Sequence, residues 1–230
     1  MTPEELLSFA HMALDTILVA LMIRSRAYRT LPIFFYFVIW NLCSGVVGVM
    51  LERALSPVDY LRFYLPDMTL DALFEFAFLA ELARAVRRQN PAVPARTKLG
   101  ILMILSAILL IVPLAAWTAP QYYPTLYKLF VHLQQSIAVL RVTFVLALVW
   151  WSSLLGMRWS DRELRIATGF SFYSIVALAV SILHTHQTVG PLYHWLDEVM
   201  TVSYLASQAY WILAFAVREP KPRAFLSTNA

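Results

Sequence analysis

Charged residues are scarce in this sequence. Asp, Glu, Lys and Arg make up only 14% of its 230 residues, whereas 60% are hydrophobic. Because about a quarter of the residues in an ordinary soluble domain are charged, this composition excludes a water-soluble globular protein. It predicts a polytopic membrane protein in which residues 1–230 form a single domain.

Cysteine is nearly absent as well. Cys43 is the only cysteine, which excludes an intramolecular disulfide bond and a metal site built from several cysteines. Cys43 lies within an apolar run, where we expect it to be a small buried side chain.

Several familiar functional signatures are also missing. The sequence has no nucleotide-binding loop, no serine-nucleophile elbow and no zinc-protease helix motif. The net charge of +4 does not indicate a nucleic acid partner. The N-terminal residues MTPEELLSF lack the basic region and cleavage site of a signal peptide, so the first apolar segment is predicted to be a retained helix.

Seven apolar segments are long enough to cross a bilayer. They lie at about residues 5–23, 31–51, 63–84, 99–117, 125–155, 164–184 and 192–217. Proline and glycine separate most of them, as expected for turns between helices. The predicted fold is therefore an all-α bundle of seven transmembrane helices.

Most lysines and arginines fall in the loops after segments one, three and five and in the C-terminal tail. These residues are Arg24, Arg26, Arg29, Arg84, Arg87, Arg88, Arg96, Lys98, Arg158, Arg162, Arg165, Arg218, Lys221 and Arg223. The positive-inside rule then predicts an external N-terminus and a cytoplasmic C-terminus. We expect the membrane to be a bacterial inner membrane. The basic surface would also attract anionic lipid headgroups.

The third segment is acidic. Asp67, Asp71 and Glu75 recur every fourth residue, so they share one helix face. Carboxylates at membrane depth normally face a protein interior or an aqueous cavity. Arg141 on segment five and Asp15 on segment one lie at a depth comparable to that of Glu75, and we expect Arg141 to pair with Glu75 or Asp15. Three carboxylates on one face predict a buried polar centre.

Polar stripes on other segments complete this centre. His132 and Gln135 belong to segment five, and Asp197, Thr201 and Tyr204 follow helical spacing on segment seven. The predicted ligand- or ion-binding residues are Asp67, Asp71, Glu75, His132, Gln135, Arg141, Asp197, Thr201 and Tyr204. The predicted site is a polar cavity that opens to the outside. Hydrogen bonding between helices alone is the alternative.

Two further features of the sequence are predicted to stabilise the fold and not to bind a ligand. Glu81 lies near the basic end of segment three, where we expect it to pair with Arg84 or a neighbouring arginine. A face of small residues on segment two is predicted to allow close helix packing. That face consists of Asn41, Ser44, Gly45 and Gly48.

Histidines offer only a weak metal signal. His184, His186 and His194 cluster near one turn and are candidates for zinc or copper. Haem would need axial histidines on facing helices, such as His11, His132 or His184. No pair repeats at the spacing of membrane cytochromes, so no cofactor is predicted and haem or a transition metal is the alternative.

Three short stretches resemble a known group of proteins. LPIFFYFVIW at 31–40, FLAELAR at 78–84 and IATGFSFY at 166–173 resemble seven-helix membrane proteins of unknown function found among Acidobacteria. This resemblance implies topology only. A rhodopsin is excluded, because its chromophore needs a lysine in the seventh helix and the only lysines are Lys98, Lys128 and Lys221.

The function predicted from these features is that of a non-enzymatic sensor or receptor that binds a small ligand or ion. The alternative is a proton-coupled or solute transporter that uses Asp15, Glu75 and Arg141. A metal- or haem-binding subunit of a membrane complex, a homo-oligomer and an intramembrane enzyme also stay open.

Overall fold

The fold of this protein is helical throughout the part of the chain that is described. The structure is a computed structural model and describes residues 3–88, 125–154, 161–185 and 191–216. The helices in these ranges are α1 (Pro3–Arg24), α2 (Pro32–Ala54), α3 (Pro57–Arg88), α4 (Thr125–Leu154), α5 (Asp161–Thr185) and α6 (Pro191–Ala216). The all-α prediction is confirmed for these ranges. The segment predicted at 99–117 lies outside the described residues.

Four of these helices are long and apolar enough to cross a membrane. They are Leu6–Arg24, Pro32–Leu51, Arg162–His184 and His194–Ala216. Helix α3 does not qualify by composition, because it carries several acidic and basic residues, and the apolar part of α4 is the shorter stretch Gln135–Trp150. Four such helices support the assignment to the membrane protein class.

Prolines mark the start of most helices. Pro3, Pro32, Pro57 and Pro191 are the first residues of α1, α2, α3 and α6. Proline suits this position because the N–H group that it lacks would have no partner within the helix. Between α1 and α2 the chain turns back through Arg26, whose φ of 57° lies in the left-handed region. The short turn makes α1 and α2 antiparallel neighbours.

The six helices form a closed ring. Each helix contacts the next one in chain order, α6 returns to contact α1, and α3 also reaches α5 across the ring. The side chains that point inward divide the bundle into two parts. The ring therefore encloses an interior whose two ends differ in polarity.

One part is packed with apolar and aromatic side chains, and we call it the apolar half. It surrounds the end of α1 and the start of α2, and its fully buried members include Leu18, Met22, Phe34, Phe78, Leu82, Ile166, Phe170 and Trp211. The ring of Phe34 lies 4.7 Å from that of Phe78 and 5.3 Å from that of Trp211. The remaining part, toward the start of α1, α3 and α6, holds most of the buried polar groups and is called the polar half. The apolar half of the interior is thus closed by packed rings.

Helices α5 and α6 approach closely at a glycine. A Cβ atom on Gly169 would lie 2.6 Å from Nε1 of Trp211, closer than real Cβ contacts. The same indole N–H donates a hydrogen bond to the carbonyl of Ile166 at 3.1 Å. The Ser207 hydroxyl donates to the carbonyl of Gly169 at 2.8 Å. Glycine at this position therefore allows two direct bonds between the helices.

Helices α2 and α3 are joined by Glu81. Its carboxylate accepts hydrogen bonds from the backbone N–H groups of Ile33 at 3.0 Å and Phe34 at 2.9 Å. These N–H groups belong to the first turn of α2, where backbone N–H groups have no carbonyl acceptor within the helix. The prediction of an arginine partner for Glu81 missed this capping role.

The side chain of Cys43 points away from the bundle. Cys43 is exposed on α2, so the prediction that it is buried is wrong. In a membrane-embedded bundle the outer surface contacts lipid, and an apolar thiol suits that environment as well as it suits a core. Hydropathy alone does not distinguish these two environments.

Candidate functional site

A buried ion pair joins α3 to α4. Nη2 of Arg141 lies 2.5 Å from Oε2 of Glu75, and the two side chains are 7% and 2% exposed. The Arg141 guanidinium also lies 4.9 Å from the centre of the Tyr173 ring and 5.8 Å from that of Phe170. Of the two partners predicted for Arg141, the structure therefore pairs it with Glu75.

Asp15 belongs to a second polar cluster. The Gln208 side-chain amide donates a hydrogen bond to Oδ1 of Asp15 at 2.6 Å. Nε2 of His11, one turn earlier on α1, lies 2.8 Å from Oδ2. Asp15 is only 1% exposed, so its two partners take the place of water. The predicted network of Asp15, Glu75 and Arg141 is thus divided between two clusters.

Two tyrosine rings connect these clusters. The Tyr204 ring lies 5.0 Å from the His11 ring and meets the Tyr173 ring edge to face at 4.9 Å. Tyr173 in turn lies beneath the Arg141 guanidinium. A continuous path of contacts therefore runs from Asp15 on α1 to Glu75 on α3.

These groups surround a series of cavities in the polar half. The central chamber has a volume of about 160 Å³ and is lined by residues that include His11, Asn41, Asp71, Glu75, Tyr173, Thr201 and Tyr204. A wide chamber of about 370 Å³ lies between α1, α2 and α3, with Ser44, Gly48, Tyr60, Tyr64, Asp67 and Asp71 in its walls. A small chamber of about 100 Å³ lies between α3, α4, α5 and α6, beside Tyr64, Asp71, Arg141 and Tyr173. A single buried water needs only roughly 10–15 Å³ of such volume, so each chamber can hold more than one water.

Asp71 is the point at which the three chambers meet, because it lines all of them. Its neighbour Asp67 is held by Ser44, whose hydroxyl lies 2.7 Å from both carboxylate oxygens and donates to them. By contrast, Oδ1 of Asp71 is buried and has no hydrogen-bond partner among the described residues. A buried acceptor without a partner is destabilising by about 1–3 kcal/mol. Oδ2 of Asp15 and Oε2 of Glu75 also lack a hydrogen-bond donor, but they lie against His11 and Arg141. Among the described carboxylates of this cavity, Asp71 is therefore the one that needs a ligand, a proton or water.

The other predicted site residues fall into different places. Thr201 lines the central chamber, and its hydroxyl donates to the Asp197 carbonyl at 3.0 Å. The Asp197 side chain is 45% exposed and lies 3.7 Å from His184, and Asp197 is not among the residues that line the three chambers. Gln135 is buried on α4 but is likewise absent from their walls. His132 lies on α4, and its side chain is outside the described residues.

Helix α2 contributes to the cavity in a way that the sequence did not indicate. Its small-residue face was interpreted as a packing surface, yet it lines the wide chamber. A Cβ atom on Gly48 would meet no atom within 4 Å, and one on Gly45 would make only an ordinary contact with Met12. Asn41 lies in the walls of both the central and the wide chamber. A polar residue on the same face as small ones was the available signal for a cavity wall.

No group of three His, Cys, Asp or Glu side chains converges as a metal site within the described ranges. His184 lies near one carboxylate, that of Asp197, and His194 is exposed on α6. His186 lies outside the described residues. His11, one of the histidines considered for haem, lies beside Asp15.

Comparison of the chain with protein families, with characterised proteins and with solved structures finds no match. The resemblance to acidobacterial seven-helix proteins therefore stays a prediction. Any argument for function depends on the geometry of the polar half.

Proposed function

We propose that the protein is a multi-pass receptor of the bacterial inner membrane that binds a small ligand or ion in the polar half. The observation that carries this proposal is the junction of three chambers at Asp71. Ligand sites are typically concave, with a few polar groups that fix orientation, and the chambers have this character.

The proposed topology has seven spans, with α1 beginning outside the cell. Helices α3 and α4 stand in the ring between helices that are long and apolar enough to span, which supports a transmembrane position for both despite their charges. Residues 99–117 would supply the remaining span. Arg24, Arg29 and Arg84 lie at the end of the bundle that would face the cytoplasm and anionic lipid.

The closed apolar half favours a receptor over an open channel. Phe34, Phe78 and Trp211 are fully buried where a continuous pore would need water. A ligand that enters from the polar end therefore meets a packed floor. Binding would be detected at the cytoplasmic end only through movement of helices.

A carrier is the second candidate, and the Glu75–Arg141 ion pair favours it. Ionisable groups buried at membrane depth commonly belong to ion or proton pathways. This pair forms part of the walls of the central and small chambers, where a change in its contacts could accompany transport. In a carrier the packed rings would have to separate during each cycle.

A flux measurement distinguishes these candidates. The purified protein is reconstituted in liposomes that contain a pH-sensitive dye, and proton entry is followed with and without a panel of small solutes. A receptor gives no flux, whereas a carrier gives flux that Glu75→Gln abolishes. The same panel is tested for compounds that raise the unfolding temperature.

Occupation of the chambers is tested with a bulky substitution. Gly48 lines the wide chamber, and a Cβ atom there meets no atom within 4 Å. Gly48→Trp should therefore fill part of this chamber and abolish stabilisation by any compound that binds there. The matched control is Val47→Trp, because Val47 is exposed on the outer surface of α2. Equal stabilisation of the Gly48→Trp variant and the control would contradict a ligand site that includes the wide chamber.

Topology is tested with two serines that lie at opposite ends of the bundle. Ser25 follows α1 and Ser56 precedes α3. In a Cys43→Ser background, Ser56→Cys should react with a membrane-impermeant maleimide in intact cells. Ser25→Cys should react only after the membrane is opened. The reverse pattern would contradict the proposed orientation.

A further inference from the structure

The described part of the polar half contains more acidic than basic groups. Its carboxylates are those of Asp15, Asp67, Asp71 and Glu75, and the side chains that carry or can take up a positive charge are Arg141 and His11. Arg141 is engaged by Glu75 and His11 lies against Asp15. The described surroundings therefore disfavour an anionic ligand, which would meet carboxylates with no free cation beside them among the described side chains.

Asp71 is the acidic group that remains to be satisfied. Gln208 and Ser44 donate hydrogen bonds to Asp15 and Asp67, respectively. Oδ1 of Asp71 has no such donor among the described residues and faces all three chambers. A ligand with N–H donors and a positive charge would supply both missing interactions.

Aromatic rings line the space next to this carboxylate. Tyr173 and Tyr204 meet edge to face at 4.9 Å in the wall of the central chamber, and Tyr64 lines the two other chambers. The face of a tyrosine ring attracts organic ammonium groups. Methionines 68 and 200 add apolar, polarisable surface. This combination suits an organic cation better than a metal ion, which requires several oxygen or nitrogen ligands at fixed distances.

We infer that the ligand is a small organic molecule with a primary ammonium group, which binds to Asp71 beside the rings of Tyr173 and Tyr204. The ammonium group occupies the central chamber, and the rest of the molecule extends into the wide chamber. This inference rests on the proposed function, because it identifies the chemical class of the ligand for the same cavity.

The test compares three molecules of similar shape. n-Propylammonium, n-propanol and propionate are titrated into the purified full-length protein in detergent micelles, with sodium chloride as the ionic-strength control. Unfolding temperature and isothermal calorimetry report binding. We expect saturable binding of n-propylammonium and no comparable effect of the neutral alcohol, the carboxylate or sodium.

Asp71→Asn tests the anchor. Loss of one partner of a buried charge pair weakens binding by about 30-fold or more, and we expect this loss for n-propylammonium. The control is Asp59→Asn, because Asp59 is an exposed carboxylate of the same helix that lies near Arg62. Tyr204→Leu provides a second variant that keeps Asp71 intact; it should weaken binding, whereas Tyr204→Phe, which keeps the ring, should largely restore it.

Each other outcome overturns the inference. Equal binding of propanol, propionate or sodium would assign the cavity to another ligand class, and unchanged affinity in Asp71→Asn would place the ammonium group elsewhere. In both cases the proposed receptor is still supported if Gly48→Trp abolishes the observed binding. Failure of all three probes overturns the ammonium assignment. The wider panel and the Gly48→Trp comparison then decide the proposed function separately.

Discussion

The Glu75–Arg141 ion pair allows the strongest quantitative prediction. Glu75→Gln keeps the size of the side chain but leaves the Arg141 guanidinium, which is 7% exposed, without its counter-charge. Removal of one partner from a buried ion pair destabilises a protein by about 3–5 kcal/mol. The cation–π contacts of Arg141 with Tyr173 and Phe170 are present with either residue at position 75, so they cancel in the comparison. We therefore expect the free energy of unfolding to fall by about 3–5 kcal/mol.

Removal of both charges should largely reverse this loss. The double variant Glu75→Leu, Arg141→Met lacks both charges of the pair, and replacement of a buried pair by apolar groups is often neutral or stabilising. The single variants Glu75→Leu and Arg141→Met and the double variant form a thermodynamic cycle, from which we expect a coupling energy of about 2 kcal/mol or more. Reversible unfolding in mixed detergent micelles, followed by circular dichroism and tryptophan fluorescence, provides the four free energies.

An exposed ion pair on the same helix is the control. Arg62 and Asp59 are 66% and 55% exposed and 3.5 Å apart, so their coupling should be only about 0.2–1 kcal/mol. A cost below about 1 kcal/mol for Glu75→Gln, or additive effects of the two single changes, would refute the reasoning. If the double variant is stable but no longer binds n-propylammonium, the pair serves the site as well as the fold.

Three further predictions use the same unfolding assay or a labelling reaction. Gly169→Ala should cost about 1–3 kcal/mol, because the new methyl group overlaps an indole nitrogen, whereas Gly48→Ala should stay within about 0.5 kcal/mol; equal effects would contradict the close approach. Glu81→Ala should cost about 2 kcal/mol through two unpaired N–H groups, and the exposed Glu198→Ala should not. Cys43 should resist a polar maleimide in liposomes and react after unfolding in SDS; rapid reaction in the bilayer would contradict a lipid-facing position.

The spanning helices were predictable from hydropathy, whereas the full extent of α3 was not. Segment two was predicted at 31–51, and α2 runs from Pro32 to Ala54. Segment three was predicted at 63–84, but α3 extends from Pro57 to Arg88. Charged residues at both ends of α3 lower its hydropathy without interrupting its backbone hydrogen bonds. Hydropathy therefore locates the part of a helix suited to lipid and misses the ends suited to water.

Contacts within the site were predictable only in part. The depth of Glu75 and Arg141 along their helices was enough to propose them as partners, but depth alone did not exclude Asp15. The rotation of each helix about its axis determines whether Glu75 or Asp15 contacts Arg141, and the packing of the whole ring of helices sets that rotation. Tyr173 was not predicted as a site residue, because the sequence of an apolar helix does not indicate which residues a neutral tyrosine contacts.

The cap on α2 shows a similar limit. The residue before α2 is Leu31, whose side chain cannot accept a hydrogen bond, so the acceptor had to come from elsewhere in the protein. Local capping rules examine only the adjacent sequence. Glu81, which lies 47 residues after Phe34, became recognisable as the cap only through the contact between helices.

The bonds between neighbouring helices limit how this bundle can move. Helix α5 is held to α6 through Ser207 and Trp211, and α2 is held to α3 through Glu81 and through Ser44. We expect each helix pair to move as a unit, and the central and small chambers lie between the two pairs. Tyr173 and Tyr204 belong to one unit and Asp71 to the other, so a small rotation of the units changes the width of the gap between ring and carboxylate. Such a rotation leaves these bonds intact, and a molecule bound between the rings and the carboxylate would bias it.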